Sequence, residues 1–585
     1  MASSPLIEKI CRSIQALERK TAFGQTFFEP AGLKKLLTKD IIDSILQESK
    51  IKTPIVSVAE FQTFIFTPDT DFFTIFAILL YMRCPQVIKQ FHPRQQRLRK
   101  LPIGTQALED AKIFSIESEP VHKRKYFAEI QHKFIPHKFL KTTELEVLDS
   151  NRVLPFMAQE QIGAGNFGTV FKMQIEPSLQ ELGLTPDKNG RIFVIRKVLK
   201  SLNQQLVLLY DRNTNGMQKN KMLEEFGKEL NPLAYLGELG SPNVTPLLYA
   251  YINGTEWNLV FRCEEMNLES FLGLDHKRNP LGSFKHNFTF YSALHGISTA
   301  LRDAHNLVLT RAGEKVSKRY LHGDLWPANI LVNKDTFILA DFGLATEMTQ
   351  KDVHHYETSW KSQGQCADCR APESEDEARV TQAIDLWALG CIFAEVATYI
   401  ERGKAGVDGF RGQRFEELKL NGKRRCGDQL FYLDGSPPVL KNSVMRQFEE
   451  LSKAPGDKHI PELLEITKQL LNIDPIKRLS AKDLCERMFF LSVKSLFNAV
   501  LGEFRQPGAE KRTIETWGDV LGLTRPWSPA SGARINALGM PCRQKLLQIF
   551  QGLHDKGKLP TREDLMAICG FLTAGERARV PISEK

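Results

Sequence analysis

The chain has 585 residues, of which 42% are hydrophobic and 25% charged, and its formal net charge is +9. This length exceeds one ordinary hydrophobic core, so two or three globular domains are expected. The longest apolar run, Phe72–Met82, is roughly half of the ~20 residues that span a bilayer, and the positive charge is a mild excess without long basic tracts, so neither a membrane nor a nucleic-acid partner is predicted.

The ten cysteines are scattered, and the N-terminus lacks the apolar core of a signal peptide. Both features predict an intracellular, reduced protein of the cytoplasm or nucleus. A lone C-x-x-C, Cys366–Cys369, has no second pair or His partner at zinc spacing, so it predicts two thiols and no metal site.

Residues 1–100 have apolar positions at helical spacing, and they predict a helical N-terminal region that is a candidate surface for a partner protein. The basic run His92–Lys100 is interpreted as a solvated linker. Residues 101–153 then form a linker and an aromatic strap, which contains "EIQHKFIPHKFL". At the other end, residues 493–585 predict a small helical tail.

From Leu154 the pattern changes to short alternating strands such as "TVFKMQI" and "RIFVIRKVL". After about residue 287 it becomes helical. A strand-rich part followed by a helix-rich part predicts an α+β architecture of two lobes with a cleft between them.

The first chemical motif is G-x-G-x-x-G-x-V, formed by Gly163, Gly165, Gly168 and Val170. Dinucleotide-binding folds share this spacing, but there the glycines open a helix. Here "TVFKMQI" alternates like a strand. The motif therefore predicts a hairpin over phosphates, where missing side chains let backbone N–H groups approach the anion.

The second motif is "YLHGDLWPANILV", Tyr320–Val332. Asp324 can accept a proton from an incoming hydroxyl, and Asn329 can offer a neutral oxygen to Mg²⁺. In the third motif, "FILADFGLA", Asp341 follows an apolar strand, where its carboxylate can bridge Mg²⁺ to phosphates. Each aspartate alone could be a turn residue, but the pair makes that reading weak.

Together these motifs resemble a eukaryotic protein kinase domain over residues 154–492, with a small lobe at 154–262 and a large lobe at 263–492. "CRAPE" (Cys369–Glu373) is similar to the end of the family's activation segment. "DLWALG" (Asp385–Gly390) matches the helix that braces the catalytic loop. The helical extension and the "LPF" before the glycine loop also resemble kinase-like proteins of filamentous fungi.

The resemblance implies a role for each matching residue. Asp324 would be the catalytic base, and Asn329 and Asp341 would hold Mg²⁺. The ATP-binding residues would be Ile162, Gly163, Gly165, Gly168, Val170, Arg196 or Lys197, Glu229, Phe261, Cys263, Glu264 and Asn267. Structural roles would fall to His322, Glu373, Asp385 and Arg478, with Arg478 paired to Glu373. Glu225 is a second choice for the helix glutamate at Glu229.

The strand "FVIRKVLK" departs from the family because Arg196 occupies the position of the usual phosphate-binding lysine. Strand side chains alternate between two faces, so Arg196 and Lys197 cannot both face the nucleotide. Val194 suits the small apolar position above adenine and shares a face with Arg196, which is therefore the first choice. Lys197 would replace it if a bulge shifted the register.

Two further departures lie in the catalytic loop. Gly323 replaces the arginine that clamps an activation-loop phosphate, which predicts activity without phosphorylation of the loop at Thr358, Ser359 or Ser362. Trp326 replaces a lysine near the γ-phosphate and offers an apolar wall with one N–H donor.

Three interpretations remain. The first is an ATP- and Mg²⁺-dependent protein kinase acting on Ser or Thr, a preference that rests on the Pro of "WPAN". The second is a pseudokinase that binds nucleotide or acts as a scaffold, favoured by Arg196, Gly323 and Trp326. The third is a small-molecule kinase of the aminoglycoside or choline type, whose loop is similar to "HGDLWPANIL" but which lacks the "CRAPE" and "DLWALG" segments.

Overall fold

The computed structural model describes residues 5–504, apart from 50–56, 93–97, 143, 165–167, 200–226, 228–229, 276–283, 312–313, 349–366, 376–379, 421–428 and 434. The chain divides into two compact units. The first comprises Met1–Thr214 and Leu247–Cys263, and the second comprises Asn215–Pro246 and Glu264–Lys585. Most of the predicted tail, from residue 505 on, lies outside the described residues.

Helices make up the first part of the first unit. They are α1 (Pro5–Ala16), α2 (Pro30–Leu36), α3 (Lys39–Glu48), α4 (Val58–Ile65), α5 (Phe72–Tyr81), α6 (Ile88–Phe91), α7 (Thr105–Asp110) and α8 (Pro120–Phe134). The apolar run of α5 is buried from Ile75 to Leu80 at the centre of this region. Phe127 and Phe134 of α8 join the same hydrophobic core, so the helical region continues well past residue 100, where the sequence predicts a boundary.

A short hairpin, residues 18–28, joins the helices to the sheet of the first unit. Its strands are β1 (Glu18–Lys20) and β2 (Thr26–Phe28). Phe27 is fully buried against Val153 and Leu179, and the N–H of Ala22 donates to the carbonyl of Phe156 at 2.7 Å. This N-terminal hairpin therefore packs directly on the sheet.

The sheet of the first unit has six strands in the order β4-β9-β10-β8-β6-β5. The strands of this part are β3 (Phe139–Leu140), β4 (Leu145–Leu148), β5 (Phe156–Ala164), β6 (Gly168–Ile175), β7 (Gln180–Glu181), β8 (Ile192–Leu199), β9 (Leu247–Asn253) and β10 (Glu256–Arg262). β4, from the predicted aromatic strap, adds to the edge in parallel with β9, and β3 pairs with β7. The strap is thus partly built into strands.

One face of this sheet packs around aromatic rings and is called the aromatic face. It carries Val194, Tyr251 and Val260, which form one buried cluster with Phe139 of the strap. The opposite face carries the residues that alternate with these. It is called the glycine face because Gly163, Gly168 and Val170 of the hairpin of β5 and β6 lie on it.

The second unit is mainly helical. Its helices are α9 (Leu268–Leu272), α10 (Asn287–His305), α11 (Ala383–Leu420), α12 (Asn442–Ser452), α13 (Ile460–Leu470) and α14 (Ala481–Phe504). Its strands are β11 (Met266–Asn267), β12 (Leu307–Arg311), β13 (Glu314–Lys318), β14 (Tyr320–Leu321), β15 (Ile330–Asn333), β16 (Thr336–Leu339), β17 (Thr346–Glu347), β18 (Tyr432–Leu433) and β19 (Val439–Leu440). The chain is therefore a mixed α+β protein, with a sheet-rich part followed by helices.

The helix α11 is two helices joined at Gly403, whose φ of +62° is outside the helical region. By length and composition alone, α11 could cross a membrane, but 94% of its most apolar window is buried inside the protein. That burial is typical of a core helix, which organises the helices around it.

His137 gives a pH-dependent stability that can be measured. It is 3% exposed on the aromatic face, and neither ring nitrogen has a hydrogen-bond partner. Burial, with a smaller effect of Arg152, lowers the pKa of His137 to about 4 from 6.5. The unfolded chain therefore binds this proton more readily. The stability is fully present above pH 6.5 and is lost as the pH falls towards 4, by up to about 3 kcal/mol.

We expect His137→Phe to flatten this part of the pH profile, since the ring keeps its shape and loses its proton site. Urea unfolding from pH 7.5 to 4 would measure the difference from the wild type. His122→Phe on the exposed surface of α8 is the matched control. A His137→Phe variant whose unfolding free energy follows the wild type at every pH would contradict the prediction.

Candidate active site

The glycine motif lies in the hairpin of β5 and β6. Gly163 pairs with Val170 across this hairpin, and Gly165 is outside the described residues. A Cβ atom at Gly168 would lie 2.7 Å from the carbonyl oxygen of Val198. No side chain fits at that distance, so glycine at this position lets β6 and β8 come together.

Lys197 lies on the glycine face. It pairs directly with Val170 of β6, and residues paired across antiparallel strands project to the same side of a sheet. A Cβ atom at Gly168 would be 3.5 Å from Cε of Lys197. Phe261 of β10 pairs with Ile195 of β8, and Ile195 is on the same face as Lys197, two residues further along the strand. Val170, Lys197 and Phe261 therefore share one face. The sheet thereby presents a cation beside the glycine hairpin.

Arg196 lies on the aromatic face, so its predicted orientation is wrong. Its Nε donates to Oδ1 of Asn258 at 2.8 Å, and its guanidinium forms an ion pair with Glu256. Val194, assigned from the sequence to a position above adenine, is fully buried in the aromatic cluster. β8 pairs residue for residue with β6 and β10, so Lys197 reaches the glycine face without a bulge.

The segment after β10 carries the residues predicted to meet adenine and ribose. Cys263 ends the first unit and Glu264 begins the next part of the second. The carboxylate of Glu264 accepts from Nδ2 of Asn333. Asn267 caps α9, where its Oδ1 accepts from the N–H of Ser270 at 2.9 Å. These contacts fix local structure, and the nucleotide contacts stay predictions.

Other predicted residues lie elsewhere. Ile162 of β5 is 51% exposed. Outside the described residues are Glu225, Glu229, Thr358, Ser359 and Ser362.

Asp324 and Asn329 are held together in the second unit. Nδ2 of Asn329 donates to the carbonyl oxygen of Asp324 at 2.8 Å and to its Oδ2 at 2.9 Å. The turn Pro327–Asn329 between them is a single 3-10 turn. Since both amide protons point at Asp324, the amide oxygen of Asn329 is the atom suited to a hard cation.

Asp341 is tied to the same segment through the backbone. The N–H of Ala340 donates to the carbonyl of Asn329 at 2.9 Å. Asp341 itself has φ of +59°, an uncommon conformation for a residue with a side chain. Its Oδ1 accepts from the N–H of Gly343 at 3.1 Å. The two candidate metal ligands thus lie at the ends of adjoining, hydrogen-bonded segments.

The buried carboxylate of Asp385 accepts hydrogen bonds from the backbone just before Asp324. Oδ2 of Asp385, which is 1% exposed, accepts from the N–H of His322 at 2.8 Å, and Oδ1 accepts from the N–H of Gly323 at 2.9 Å. Nε2 of His305 lies 2.9 Å from Oδ2. His322 in turn lies 3.0 Å from the carbonyl of Ala340, so one carboxylate connects α11 to the segment before Asp324 and, through His322, to the segment before Asp341.

The two departures in the catalytic loop have different structural contexts. Gly323 has φ of +78°, where a residue with a Cβ would be strained. The backbone conformation alone therefore favours glycine at this position. Trp326 is half-buried and extended at the start of the 3-10 turn, where its carbonyl accepts from the N–H of Asn329 at 3.0 Å.

Arg478 and Glu373 form a buried ion pair. Nη2 of Arg478 donates to Oε2 of Glu373 at 2.8 Å, and Nη1 reaches Oε1. Nη1 also donates to the carbonyl of Ala383 at 2.9 Å, and the guanidinium lies 5.0 Å from the ring centre of Trp387. The end of the activation segment is thereby fixed to α11.

A second charged cluster lies beside this segment, and no local sequence pattern predicts it. Nη2 of Arg411 donates to Glu269 at 2.7 Å, and Nη2 of the fully buried Arg414 donates to Glu395 at 2.8 Å. Burial alone would raise the pKa of Glu395, but hydrogen bonds and ion pairs with both arginines outweigh it and hold the pKa below its usual value. Burial also raises the pKa of Asp368 nearby.

The first unit carries a lysine beside a glycine hairpin, and the second unit carries Asp341 and the hydrogen-bonded pair of Asp324 and Asn329. These features are typical of a mixed α+β phosphotransferase. Residues 189–490 match the family model for the protein kinase domain, which is just over half of the chain. The protein belongs to the protein kinase family. This family uses ATP and Mg²⁺ and acts on protein substrates.

One curated relative is the cell division control protein 2 homolog 3 of Trypanosoma brucei brucei. It is 26% identical over 341 residues, which cover 56% of this chain and 89% of the relative. The resemblance to fungal kinase-like proteins stays a prediction. So do the intracellular location and the absence of nucleic-acid and membrane partners.

The ion pair of Glu373 and Arg478 makes a stability prediction. Glu373→Gln would leave the guanidinium buried without its counter-charge, at a cost of about 3–5 kcal/mol. The exposed pair of Glu465 and Lys468 supplies the control, because Glu465→Gln should change stability by less than about 1 kcal/mol. Urea unfolding at neutral pH measures both, and equal effects of the two substitutions would refute the expected difference.

Proposed function

We propose that the protein transfers the γ-phosphoryl group of ATP, with Mg²⁺, to Ser or Thr hydroxyls of a protein substrate. The observation that carries this proposal is the pair of hydrogen bonds from the Asn329 amide to Asp324. They set a carboxylate base beside a neutral oxygen ligand, which is the arrangement that phosphoryl transfer requires.

In this mechanism Asp324 orients the acceptor hydroxyl and takes its proton. Its side chain is half-buried, and the Asn329 amide restricts its rotation before substrate arrives. Positioning of this kind replaces reorganisation during the reaction and lowers the barrier. The Asp385 carboxylate holds the preceding backbone in place.

The donor set suits Mg²⁺. Asp341 offers a carboxylate and Asn329 an amide oxygen, which are the hard ligands that this ion prefers. Among the described residues, His, Cys, Asp and Glu side chains form no group of three that could enclose a metal. Mg²⁺ sites commonly use one or two protein ligands together with water and substrate phosphates. The bound ion would neutralise charge on the phosphates.

Lys197 supplies the phosphate-binding cation. It shares the glycine face with Val170, whereas Arg196 is engaged by Asn258 and Glu256 on the other side. The strand therefore keeps a lysine at the expected face. This removes one of the three sequence departures that favour a pseudokinase, and it supports an enzyme over a scaffold.

A protein acceptor, rather than a small molecule, is supported by the second unit. The ion pair of Glu373 and Arg478 and the Asp385 contacts belong to the segments that build the peptide-binding platform in this family. Small-molecule kinases with a similar catalytic loop lack these segments. The Ser/Thr preference rests on Pro327 in "WPAN".

Two substitutions test the proposal. Asp324→Asn removes the base and should lower kcat by at least about 100-fold. Lys197→Met removes the cation and should lower kcat/KM for ATP by about 100-fold. The measurement is transfer of labelled phosphate from ATP to a generic protein acceptor with the purified full chain and Mg²⁺.

The matched controls are Asp110→Asn and Lys188→Met, both exposed and outside the motifs, and both should behave as the wild type. A wild type that transfers no phosphate to any acceptor, yet gains thermal stability from Mg-ATP, would favour the nucleotide-binding scaffold. Activity that survives Lys197→Met would contradict the role given to that lysine.

We also propose that activity does not depend on phosphorylation of the activation loop. Gly323 stands where the family's phosphate-clamping arginine would be, and its φ of +78° suits glycine. The triple variant Thr358→Ala, Ser359→Ala and Ser362→Ala should retain kcat within about twofold, because no arginine precedes Asp324 to receive a loop phosphate. Phosphatase treatment of the wild type should be equally silent, and a tenfold loss in either case would refute this proposal.

A further inference from the structure

Arg196 is a buried cation that has no part in the proposed reaction. It is 4% exposed, and a buried charge is costly unless it is paired and hydrogen-bonded. Its Nε donates to Asn258 at 2.8 Å, and its guanidinium pairs with Glu256, whose side chain is 52% exposed. Phe171, on the neighbouring strand, lies 5.9 Å from the guanidinium carbon.

A further contact to Arg196 comes from far away in the sequence. The ring of Phe23, at the turn of the N-terminal hairpin, lies 5.4 Å from the guanidinium carbon. The same ring meets Phe156 edge-on at 5.9 Å. Because Phe23 is 41% exposed, burial of its ring accounts for only part of its contribution to the packing.

The hairpin is anchored on both sides of Phe23. Arg19 forms an ion pair with the buried Glu176, the N–H of Ala22 donates to Phe156 at 2.7 Å, and Phe27 is fully buried. The position of the Phe23 ring over Arg196 is therefore set by the fold of the N-terminal region. It is not the chance position of a loose side chain.

Arg196 and Lys197 are consecutive residues of β8, and their side chains leave opposite faces of one strand. A slip of one residue would exchange them, because the side-chain period of a strand is two. The contacts that hold the guanidinium on the aromatic face therefore also hold the Lys197 amine on the glycine face. The Phe23 ring contributes a cation–π contact to this guanidinium, an attraction that strengthens when the cation is desolvated.

We propose that the N-terminal hairpin is a positioning element for the phosphate-binding lysine: Phe23, with Glu256 and Asn258, holds Arg196 and thereby fixes Lys197 beside the glycine hairpin. This inference rests on the proposed function only for the statement that the Lys197 amine meets phosphate. It gives the N-terminal region a part in nucleotide binding, although that region carries none of the kinase motifs.

The test compares Phe23→Ala with Phe23→Tyr and with Tyr126→Ala in the full-length protein. Tyr126 is a matched control, being 38% exposed on α8. Phe23→Ala should raise KM for ATP by about 3- to 10-fold with kcat within about twofold. Phe23→Tyr keeps an aromatic face and should restore the wild-type KM, and Tyr126→Ala should leave KM unchanged.

A double variant tests whether Phe23 acts through Arg196. If it does, Phe23→Ala should add nothing to the KM change of Arg196→Met, since the two substitutions remove the same contact. Additive effects in the double variant, or equal effects of Phe23→Ala and Tyr126→Ala, would overturn the proposal.

A second readout does not need phosphoryl transfer. Lys197 is 6% exposed, so acylation of its amine by an amine-reactive ester, followed by mass spectrometry, should be slow in the wild type. It should be several-fold faster in Phe23→Ala, with Lys188 as the internal reference. If the wild type proves to transfer no phosphate, the proposed function fails, whereas an unchanged Lys197 acylation rate is what overturns the positioning role.

Discussion

The catalytic half of the second unit depends on one buried carboxylate. Asp385 accepts hydrogen bonds from two backbone N–H groups and lies within hydrogen-bond distance of His305. These contacts offset the cost of burying an acidic group in the first turn of α11. Because the two N–H groups belong to His322 and Gly323, these hydrogen bonds hold the backbone directly before Asp324. One aspartate of the buried helix α11 thus sets the geometry of a polar site.

Two residues of the candidate site have uncommon backbone conformations. Gly323 and Asp341 both have positive φ. The first has no Cβ, and the second carries a carboxylate that is a candidate metal ligand. The glycine adopts its conformation without steric cost, whereas Asp341 persists there because neighbouring contacts over-determine it. Among these are the Gly343 N–H on its carboxylate and the bond from Ala340 to Asn329.

The sequence predicts the α+β class and the short segment in which Asp324 and Asn329 are hydrogen-bonded, because short local patterns carry that information. It predicts the wrong face of β8 beside the glycine hairpin, since Lys197 and not Arg196 shares a face with Val170. That choice depends on Phe139 and Tyr251 covering the side of Val194, and on Phe23 reaching Arg196. Such contacts join distant parts of the chain and leave no trace in the periodicity of "FVIRKVLK". The sequence also places the end of the helical region too early, near residue 100. Phe127 and Phe134 lie beyond that point and complete the hydrophobic core of the preceding helices.

With Lys197 on the glycine face, the departures from the family pattern become fewer and more specific. Arg196 is held on the aromatic face, so the cation beside the glycine hairpin is a compact ammonium and not a forked guanidinium. The loss of charge that remains is at Trp326, two residues after Asp324. In the proposed reaction each tenfold loss of rate at this position would correspond to about 1.4 kcal/mol. Under the proposed function Gly323 concerns regulation instead, because the arginine of the family pattern acts on a loop phosphate, whereas the contacts from Asn329 to Asp324 and from Gly323 to Asp385 are present here. Within the second unit, Asn329 is hydrogen-bonded to Asp324 and the backbone before Asp324 is held by Asp385, and this arrangement favours the proposed kinase over a scaffold.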